Sequence, residues 1–127
     1  MARRILVVED DEKSRRLLTD VLTYHGFEVS AVRSGEDGLA QARENAPDAA
    51  LLDIELPGIS GFDVLARLRA ESAGPSLPVI AVTASVMDQD RRKILEAGFD
   101  AYVPKPVNIR ELVKVLETLL GEQRDLT

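Results

Sequence analysis

Short apolar runs alternate with longer amphipathic stretches along the whole chain. Three runs of branched and small apolar residues lie at 5–8, 49–52 and 79–82, and polar or turn residues bound each of them. Continuous runs of this length are typical of strands that are buried on both faces. Two weaker runs, at 27–32 and 101–103, predict strands at the edges of the same sheet.

The stretches between these runs carry apolar residues at helical spacing, with start and stop signals at their ends. The predicted N-caps are Ser34, Ser60, Ser85 and Asn108, and the predicted stop of the first helix is Gly26. Five strands alternating with five helices predict βα units and a parallel sheet. With the three strongly apolar strands in the centre, the expected α/β fold is doubly wound and flavodoxin-like, with strand order 2-1-3-4-5.

The composition fits one domain and excludes several kinds of site. A length of 127 residues suits a single domain, expected over 1–121, with 122–127 as a C-terminal tail. A balance of 16 Lys and Arg against 22 Asp and Glu gives a net charge of −6, which argues against direct nucleic-acid binding. The lack of cysteine and the single histidine exclude thiolate and multi-histidine metal sites. No apolar run approaches the roughly 20 residues of a membrane span, so we expect no membrane insertion and a cytoplasmic location.

Acidic residues follow the first and third predicted strands. Glu9 and Asp10 come directly after the first strand, and Asp53 comes directly after the third. In a doubly wound sheet, ligands bind beyond the carboxyl ends of the strands where the strand order reverses, which here is between these two strands. Three carboxylates in one crevice need a counter-charge, because like charges this close cannot all stay ionised. Mg²⁺ suits such a site, since it binds one or two carboxylates and keeps several waters.

Two further strand ends add groups that can bind phosphoryl oxygens. Thr83 follows the fourth apolar run, and Lys105 follows the fifth. A hydroxyl and an ammonium are the groups that a transferred phosphoryl needs around its oxygens. An Asp carboxylate is a known nucleophile toward phosphoryl groups, and Asp53 lies alone at its strand end. The predicted chemistry is therefore phosphoryl transfer to Asp53.

Taken together, these motifs resemble those of the receiver domain of two-component response regulators. The matching stretches are 5–11 (ILVVEDD), 51–58 (LLDIELPG), 60–61 (SG), 82–84 (VTA) and 105–106 (KP). The resemblance covers essentially the whole chain. It implies a single-domain response regulator that phosphorylates itself from a donor and is not a turnover enzyme.

The resemblance implies a role for each matching acid. Asp53 would accept a phosphoryl group from a phosphohistidine on a sensor histidine kinase or a histidine phosphotransfer protein. Mg²⁺ would be bound directly by Asp10 and Asp53, through water by Glu9, and by the backbone carbonyl of Glu55. Glu9 stands where the family more often has Asp, which lengthens the reach to the metal.

The resemblance also implies a switch. Thr83 and Lys105 would bind phosphoryl oxygens, and the peptide bond between Lys105 and Pro106 would be cis, an isomer that is costly except before proline. Tyr102 takes the family's switch-aromatic position and would move together with Thr83 on phosphorylation. This movement would alter the face formed by helix 4, strand 5 and helix 5, which would bind a downstream protein.

The fourth predicted helix is the candidate moving part. Its apolar stripe is thin, mainly Met87, Ile94 and Leu95, and it lies beside a polar stretch over 88–93. Charges that pair some receivers through helix 4 and strand 5 are mostly missing, so we expect a monomer or a weak dimer. The uncharged positions are Ala97, Ala101 and Val115.

Three other interpretations stay open. A Mg²⁺-dependent phosphohydrolase with an aspartyl-phosphate intermediate would use Glu55 as its acid-base group, although 127 residues leave no room for a cap domain. A degenerate receiver that acts purely as a docking module is disfavoured by the intact set of acceptor residues. The chain could also be the receiver piece of a larger regulator or hybrid kinase. In the receiver interpretation, Glu55 and Ser85 flank the site and would tune the loss of the phosphoryl group to water.

Overall fold

The computed structural model describes residues 3–71, 77–84 and 88–124, with the backbone alone at 88–89 and 121–124. Ser85, predicted as an N-cap and as a flanking site residue, lies outside the described residues. Met87, predicted on the apolar stripe of the fourth helix, also lies outside them.

Strands and helices alternate along the described chain. The strands are β1 Arg4–Val8, β2 Glu28–Val32, β3 Ala49–Asp53, β4 Val79–Thr83 and β5 Ala101–Pro104. The helices are α1 Glu12–Tyr24, α2 Gly35–Glu44, α3 Gly61–Ala70, α4 Asp88–Ala97 and α5 Ile109–Arg124. The five strand predictions are confirmed, each to within one residue at either end. Helix α5 extends to Arg124, three residues into the segment predicted as a tail.

The five strands form one parallel sheet in the order β2-β1-β3-β4-β5. This is the predicted doubly wound order, and it reverses between β1 and β3. Val8 pairs with Leu52, and Asp53 pairs with Val82, so the carboxyl ends of β1, β3 and β4 are level with one another. Residues that follow β1 therefore lie beside the residue that ends β3.

Alternate strand residues face two separate apolar cores, because successive side chains of a strand point to opposite faces. On one face, α2, α3 and α4 cover Leu6, Val8, Ala50, Leu52, Val79 and Ala81. On the other face, α1 and α5 cover Ile5, Val7, Ala49, Leu51, Ile80 and Val82. The three central strands are buried on both sides, which explains why their sequences read as continuous apolar runs.

Polar side chains begin four of the helices. Each accepts a hydrogen bond from the backbone N–H three residues later, which satisfies a donor that the helix itself leaves free. The cap residues are Asp11, Ser34, Ser60 and Asn108. The caps at Ser34, Ser60 and Asn108 were predicted from the sequence. Gly26 stops α1 with a φ of 94°, as its position in the sequence predicts.

Helix α4 contributes less apolar surface than its sequence suggests. Ile94 is buried, but Leu95 is 51% exposed, so the prediction that both lie on the buried stripe is wrong for Leu95. The helix ends at Gly98, whose φ is 109°, and Phe99 then turns into the core. Among the described side chains of α4, Ile94 is therefore the one that anchors the helix in the core.

A network of hydrogen bonds ties α3 to the amino end of β4. One carboxylate oxygen of Asp100 accepts the N–H of Val79 at 2.8 Å and Nη2 of Arg69 at 3.0 Å. The Arg69 guanidinium also donates to the carbonyl oxygens of Leu77 and, at 2.8 Å, Gly98. One acid and one base thus hold three chain segments together at this edge of the sheet.

Candidate functional site

Three carboxylates converge at the carboxyl edge of the sheet. Glu9 and Asp10 follow β1, Asp53 ends β3, and one oxygen from each lies within 4.8 Å of the others. Glu9 and Asp53 are buried, whereas Asp10 is exposed to solvent. The convergence predicted from the strand order is confirmed by this geometry.

Lys105 brings a positive charge to the same cluster. Its Nζ lies 2.9 Å from Oδ2 of Asp53 and 3.1 Å from Oε1 of Glu9. The peptide bond to Pro106 is cis, the isomer that the resemblance implies. The backbone N–H of Lys105 donates to the carbonyl of Thr83 at 2.8 Å, which joins the loop after β5 to the end of β4. One lysine therefore forms ion pairs with two buried carboxylates.

The electrostatics of the cluster show an excess of negative charge. Burial raises the pKa of Glu9 above its ordinary value, and the nearby Asp53 carboxylate raises it further, against the hydrogen bonds from Asp11 and Lys105. Burial alone would lower the pKa of Lys105, but its hydrogen bonds to Asp53 and Glu9 outweigh burial and raise it. The lysine stays charged and leaves part of the acidic charge without a counter-charge.

Hydrogen bonds within the β1–α1 loop fix the two acids of that loop. The N–H of Asp11 donates to Oε2 of Glu9 at 3.1 Å. From the first turn of α1, Nη1 of Arg15 donates to the carbonyl of Glu9 at 3.0 Å and to the carbonyl of Asp10 at 3.3 Å. Sequence reasoning missed Arg15, because a charged residue at that helical position carries no pattern that points to the backbone of the preceding loop.

The Asp53 carboxylate is held on both of its oxygens. The N–H of Glu55 donates to Oδ1 at 2.9 Å, while Oδ2 accepts the bond from Lys105. Gly61, at the start of α3, packs directly on this strand end, since a Cβ there would lie 2.6 Å from the carbonyl oxygen of Asp53 and 2.9 Å from Cα of Ile54. The glycine of the Ser-Gly motif therefore permits a close approach of helix and strand.

Thr83 is buried at the end of β4, next to a cavity of about 190 Å³. The cavity lies between the loop after β3 and helix α4, and it adjoins the acidic cluster through Glu55. Its other lining residues are Ile54, Phe62, Asp90, Lys93 and Ile94. Empty space beside a buried hydroxyl leaves room for the hydroxyl and its neighbours to rearrange.

Tyr102 on β5 is partly buried against the core beneath α4. The guanidinium of Arg91 on α4 lies over its ring, with the guanidinium carbon 5.7 Å from the ring centroid. A cation over an aromatic face is attracted by the ring quadrupole. This contact links the position predicted as the switch aromatic to the helix predicted to move.

The donor set suits a hard divalent cation. Three carboxylates supply the oxygen ligands that Mg²⁺ prefers, and the exposed Asp10 leaves one side of the cluster open to water. The excess negative charge beyond what Lys105 neutralises gives such a cation an electrostatic reason to bind.

A family model described as the response regulator receiver domain matches residues 5–117. The chain belongs to this family. The polar-differentiation response regulator DivK of Brucella ovis is 36% identical over 122 residues, which cover 96% of this chain and 99% of that protein. This receiver domain and DivK are thus similar over nearly their whole lengths.

Solved receiver structures agree with the fold. A putative response regulator from Chloroflexus aurantiacus is similar with a TM-score of 0.90 at 34% identity, covering 95% of this chain and 99% of that one. The receiver domain of the sensor histidine kinase PA1611 from Pseudomonas aeruginosa, with a magnesium ion coordinated in its active site cleft, gives a TM-score of 0.88 at 31% identity. That match covers 95% of this receiver and 99% of the PA1611 domain.

The chain is therefore a CheY-like receiver domain of two-component signal transduction, with an acidic cluster consistent with Mg²⁺ binding. Across the described residues, no helix combines the length and the apolar character that crossing a bilayer requires.

Proposed function

We propose that this receiver accepts a phosphoryl group on Asp53 from a phosphohistidine of a partner protein. The observation that carries the proposal is the setting of Asp53: a buried carboxylate at the reversal point of the sheet, flanked by two acids and hydrogen-bonded to a lysine. A carboxylate that is fixed on both oxygens is oriented for attack on a phosphorus atom.

In the proposed transfer, a carboxylate oxygen of Asp53 attacks the phosphorus of the donor. The O–P bond forms while the N–P bond to the donor imidazole breaks, and the imidazole leaves as the neutral base after taking up a proton from solvent. Lys105 exchanges its bond to Asp53 for one to a phosphoryl oxygen, and the Thr83 hydroxyl donates to another. The Lys105 ammonium and the Thr83 hydroxyl would thereby stabilise the negative charge that develops on the phosphoryl oxygens.

Asp10 and Asp53 are the proposed direct ligands of Mg²⁺, with Glu9 acting through water and the carbonyl of Glu55 completing the protein ligands. The bound cation would neutralise charge on the phosphoryl oxygens during transfer. The donor set and the magnesium ion in the cleft of the PA1611 receiver support this assignment.

The proposed output is a protein contact through the face formed by α4, β5 and α5. The phosphoryl group adds about two negative charges near Thr83. The cavity beside Thr83 and the contact of Tyr102 with α4 support a coupled movement of these residues that reaches the face. A histidine kinase or a histidine phosphotransfer protein is the proposed donor, and a downstream protein is the proposed target. The cytoplasmic location and the monomeric or weakly dimeric state remain predictions.

The acceptor is tested with acetyl phosphate and Mg²⁺, using intact mass to count phosphoryl groups. The parent should gain one phosphoryl group per chain, and Asp53→Asn should gain none while keeping its fold by circular dichroism. Asp37→Asn, an exposed aspartate on α2, is the matched control and should label like the parent. Undiminished labelling of Asp53→Asn would reject Asp53 as the acceptor.

The same assay separates the receiver from a hydrolase. A signalling acceptor should reach a plateau of one phosphoryl group per chain and lose it slowly to water. Rapid, continued release of phosphate from small phosphoesters with undiminished rate would instead indicate the phosphohydrolase alternative.

The role of Lys105 is tested by Lys105→Ala. We expect the metal site to remain largely intact, whereas phosphorylation should no longer change the affinity for the partner. The measurement is partner affinity before and after labelling, in variant and parent. An equal shift of affinity in both proteins would count against the proposed role of Lys105.

A further inference from the structure

Arg15 connects the first turn of α1 to the loop that carries two of the three clustered acids. Its Nη1 donates to the carbonyl oxygens of both Glu9 and Asp10, at 3.0 and 3.3 Å. The residue is partly buried, so its guanidinium is shielded in part from water. The bonded atoms are backbone carbonyls, so Arg15 acts on the path of the loop and not on the carboxylates themselves.

The two acids differ in how firmly the rest of the molecule holds them. Glu9 is buried, its N–H donates to the carbonyl of Val32 at 3.0 Å, and its carboxylate accepts bonds from Asp11 and Lys105. Asp10 is exposed, and its carbonyl is one of the two that the guanidinium binds. Fixing the carbonyls on either side of the Cα of Asp10 restricts the backbone dihedrals that aim its carboxylate.

We propose that Arg15 is a positioning residue for the divalent cation, which it serves by holding the Asp10 carboxylate toward Glu9 and Asp53. The inference rests on the proposed Mg²⁺ site. Groups that orient metal ligands from outside the coordination sphere commonly change metal affinity by about tenfold or more. A ligand that is exposed gains most from such support, because its side chain otherwise samples many directions.

A purely electrostatic role for Arg15 predicts the opposite result. A positive charge close to a cation site repels the cation, so removing the guanidinium would tighten Mg²⁺ binding if charge were its main contribution. A positioning role predicts weaker binding when the guanidinium is removed. The sign of the change therefore decides between the two.

The test is isothermal titration with MgCl₂ of the parent, Arg15→Ala, Arg15→Lys and Arg16→Ala. Arg16 is the matched control, since it is the exposed neighbouring arginine on the same helix. We expect about a tenfold weaker Mg²⁺ affinity for Arg15→Ala. The Mg²⁺ affinity of Arg15→Lys should lie between those of Arg15→Ala and the parent, because an ammonium can still donate to one carbonyl. The Mg²⁺ affinity of Arg16→Ala should match that of the parent.

A second readout separates positioning of the cation from general damage to the site. Labelling of Arg15→Ala by acetyl phosphate should need more Mg²⁺ for half-maximal rate, yet reach a rate within about twofold of the parent at saturating Mg²⁺. Unchanged or tighter Mg²⁺ binding by Arg15→Ala would overturn the inference while leaving the proposed function intact. A parent that binds no Mg²⁺ and accepts no phosphoryl group would overturn both.

Discussion

The two edges of the sheet each carry a cluster of acidic and basic side chains, but the two clusters differ in their balance of negative and positive charge. At the amino edge, Asp100 and Arg69 form a pair of one acid and one base, and the acid also accepts a backbone N–H. At the carboxyl edge, one lysine faces three carboxylates, of which Glu9 and Asp53 are buried. The Asp100–Arg69 pair is neutral by itself, whereas the cluster at the carboxyl edge is not.

This difference separates a structural network from a functional one. A balanced and fully bonded pair stabilises the segments it joins and has no use for a further ion. An unbalanced cluster contributes less to stability on its own and gains from a cation or from a change of charge. The comparison predicts that changes of charge at the two edges differ in sign, and that Mg²⁺ acts at one edge alone.

Addition of Mg²⁺ should give the largest effect. A ligand that binds the folded state at a hundredfold excess over its Kd stabilises by about 2.7 kcal/mol. We expect this gain for the parent in urea unfolding and little gain for Asp10→Asn. Asp100→Asn should gain as much as the parent, because the amino edge does not hold the cation. An equal gain for Asp10→Asn would remove Asp10 from the proposed ligands.

Removal of the acid at the amino edge should give the next largest effect. Asp100→Ala leaves the N–H of the buried Val79 without the Asp100 acceptor and removes the carboxylate that pairs with Arg69, and the expected loss of stability is about 2 kcal/mol. Asp100→Asn keeps an acceptor for Val79 and should lose about half as much. The urea midpoints of both variants, taken without Mg²⁺, measure these losses. If Asp100→Ala were as stable as the parent, the structural role of this network would be contradicted.

The same Asp-to-Asn change at the carboxyl edge should have the opposite sign. Asp53→Asn leaves Lys105 with Glu9 and the exposed Asp10 and removes a charge that raises the pKa of Glu9. Since this change relieves repulsion between carboxylates, we expect stability without Mg²⁺ to stay level or to rise. A clear loss of stability would show that the cluster is not overcharged.

A solvent-exposed pair at the C-terminal ends of α2 and α3 should give the smallest effect. The hydrogen bonds from Arg43 hold the pKa of Glu71 below its ordinary value of 4.5. The stability from this pair is therefore present above pH 4.5 and is lost as the pH falls through the lowered pKa of Glu71. The difference in stability between the parent and Glu71→Gln should be small near neutral pH and should disappear at acid pH. Thermal unfolding at a series of pH values measures it.

Most of the fold could be predicted from local patterns. Continuous apolar runs predict strands buried on both faces, and the cap residues predict where helices begin. The strand order then brings Asp10 and Asp53 together although they lie far apart in sequence. The meeting of the carboxylates is a consequence of topology, so it could be inferred before any coordinates existed.

The contacts that the sequence did not reveal are those that depend on the reach of long side chains. Arg15 binds the carbonyls of a neighbouring loop, Arg69 spans three segments, and Arg91 lies over Tyr102. Arginine occurs at exposed helical positions for many reasons, and neither periodicity nor composition tells which one folds back on the protein. Leu95 was wrongly predicted to be buried for a related reason. When the apolar stripe of a helix is narrow, the spacing of residues does not tell which residue at its border is buried.

The position of Tyr102 beneath Arg91 also makes the protein a reporter of its own state. The chain has no tryptophan and two tyrosines, and the other, Tyr24, is 86% exposed on α1. In a Tyr24→Phe background, ultraviolet emission would arise from the ring beside α4 alone. Any rearrangement of that ring on acylphosphate formation would then be visible as a change in intensity, without an attached dye.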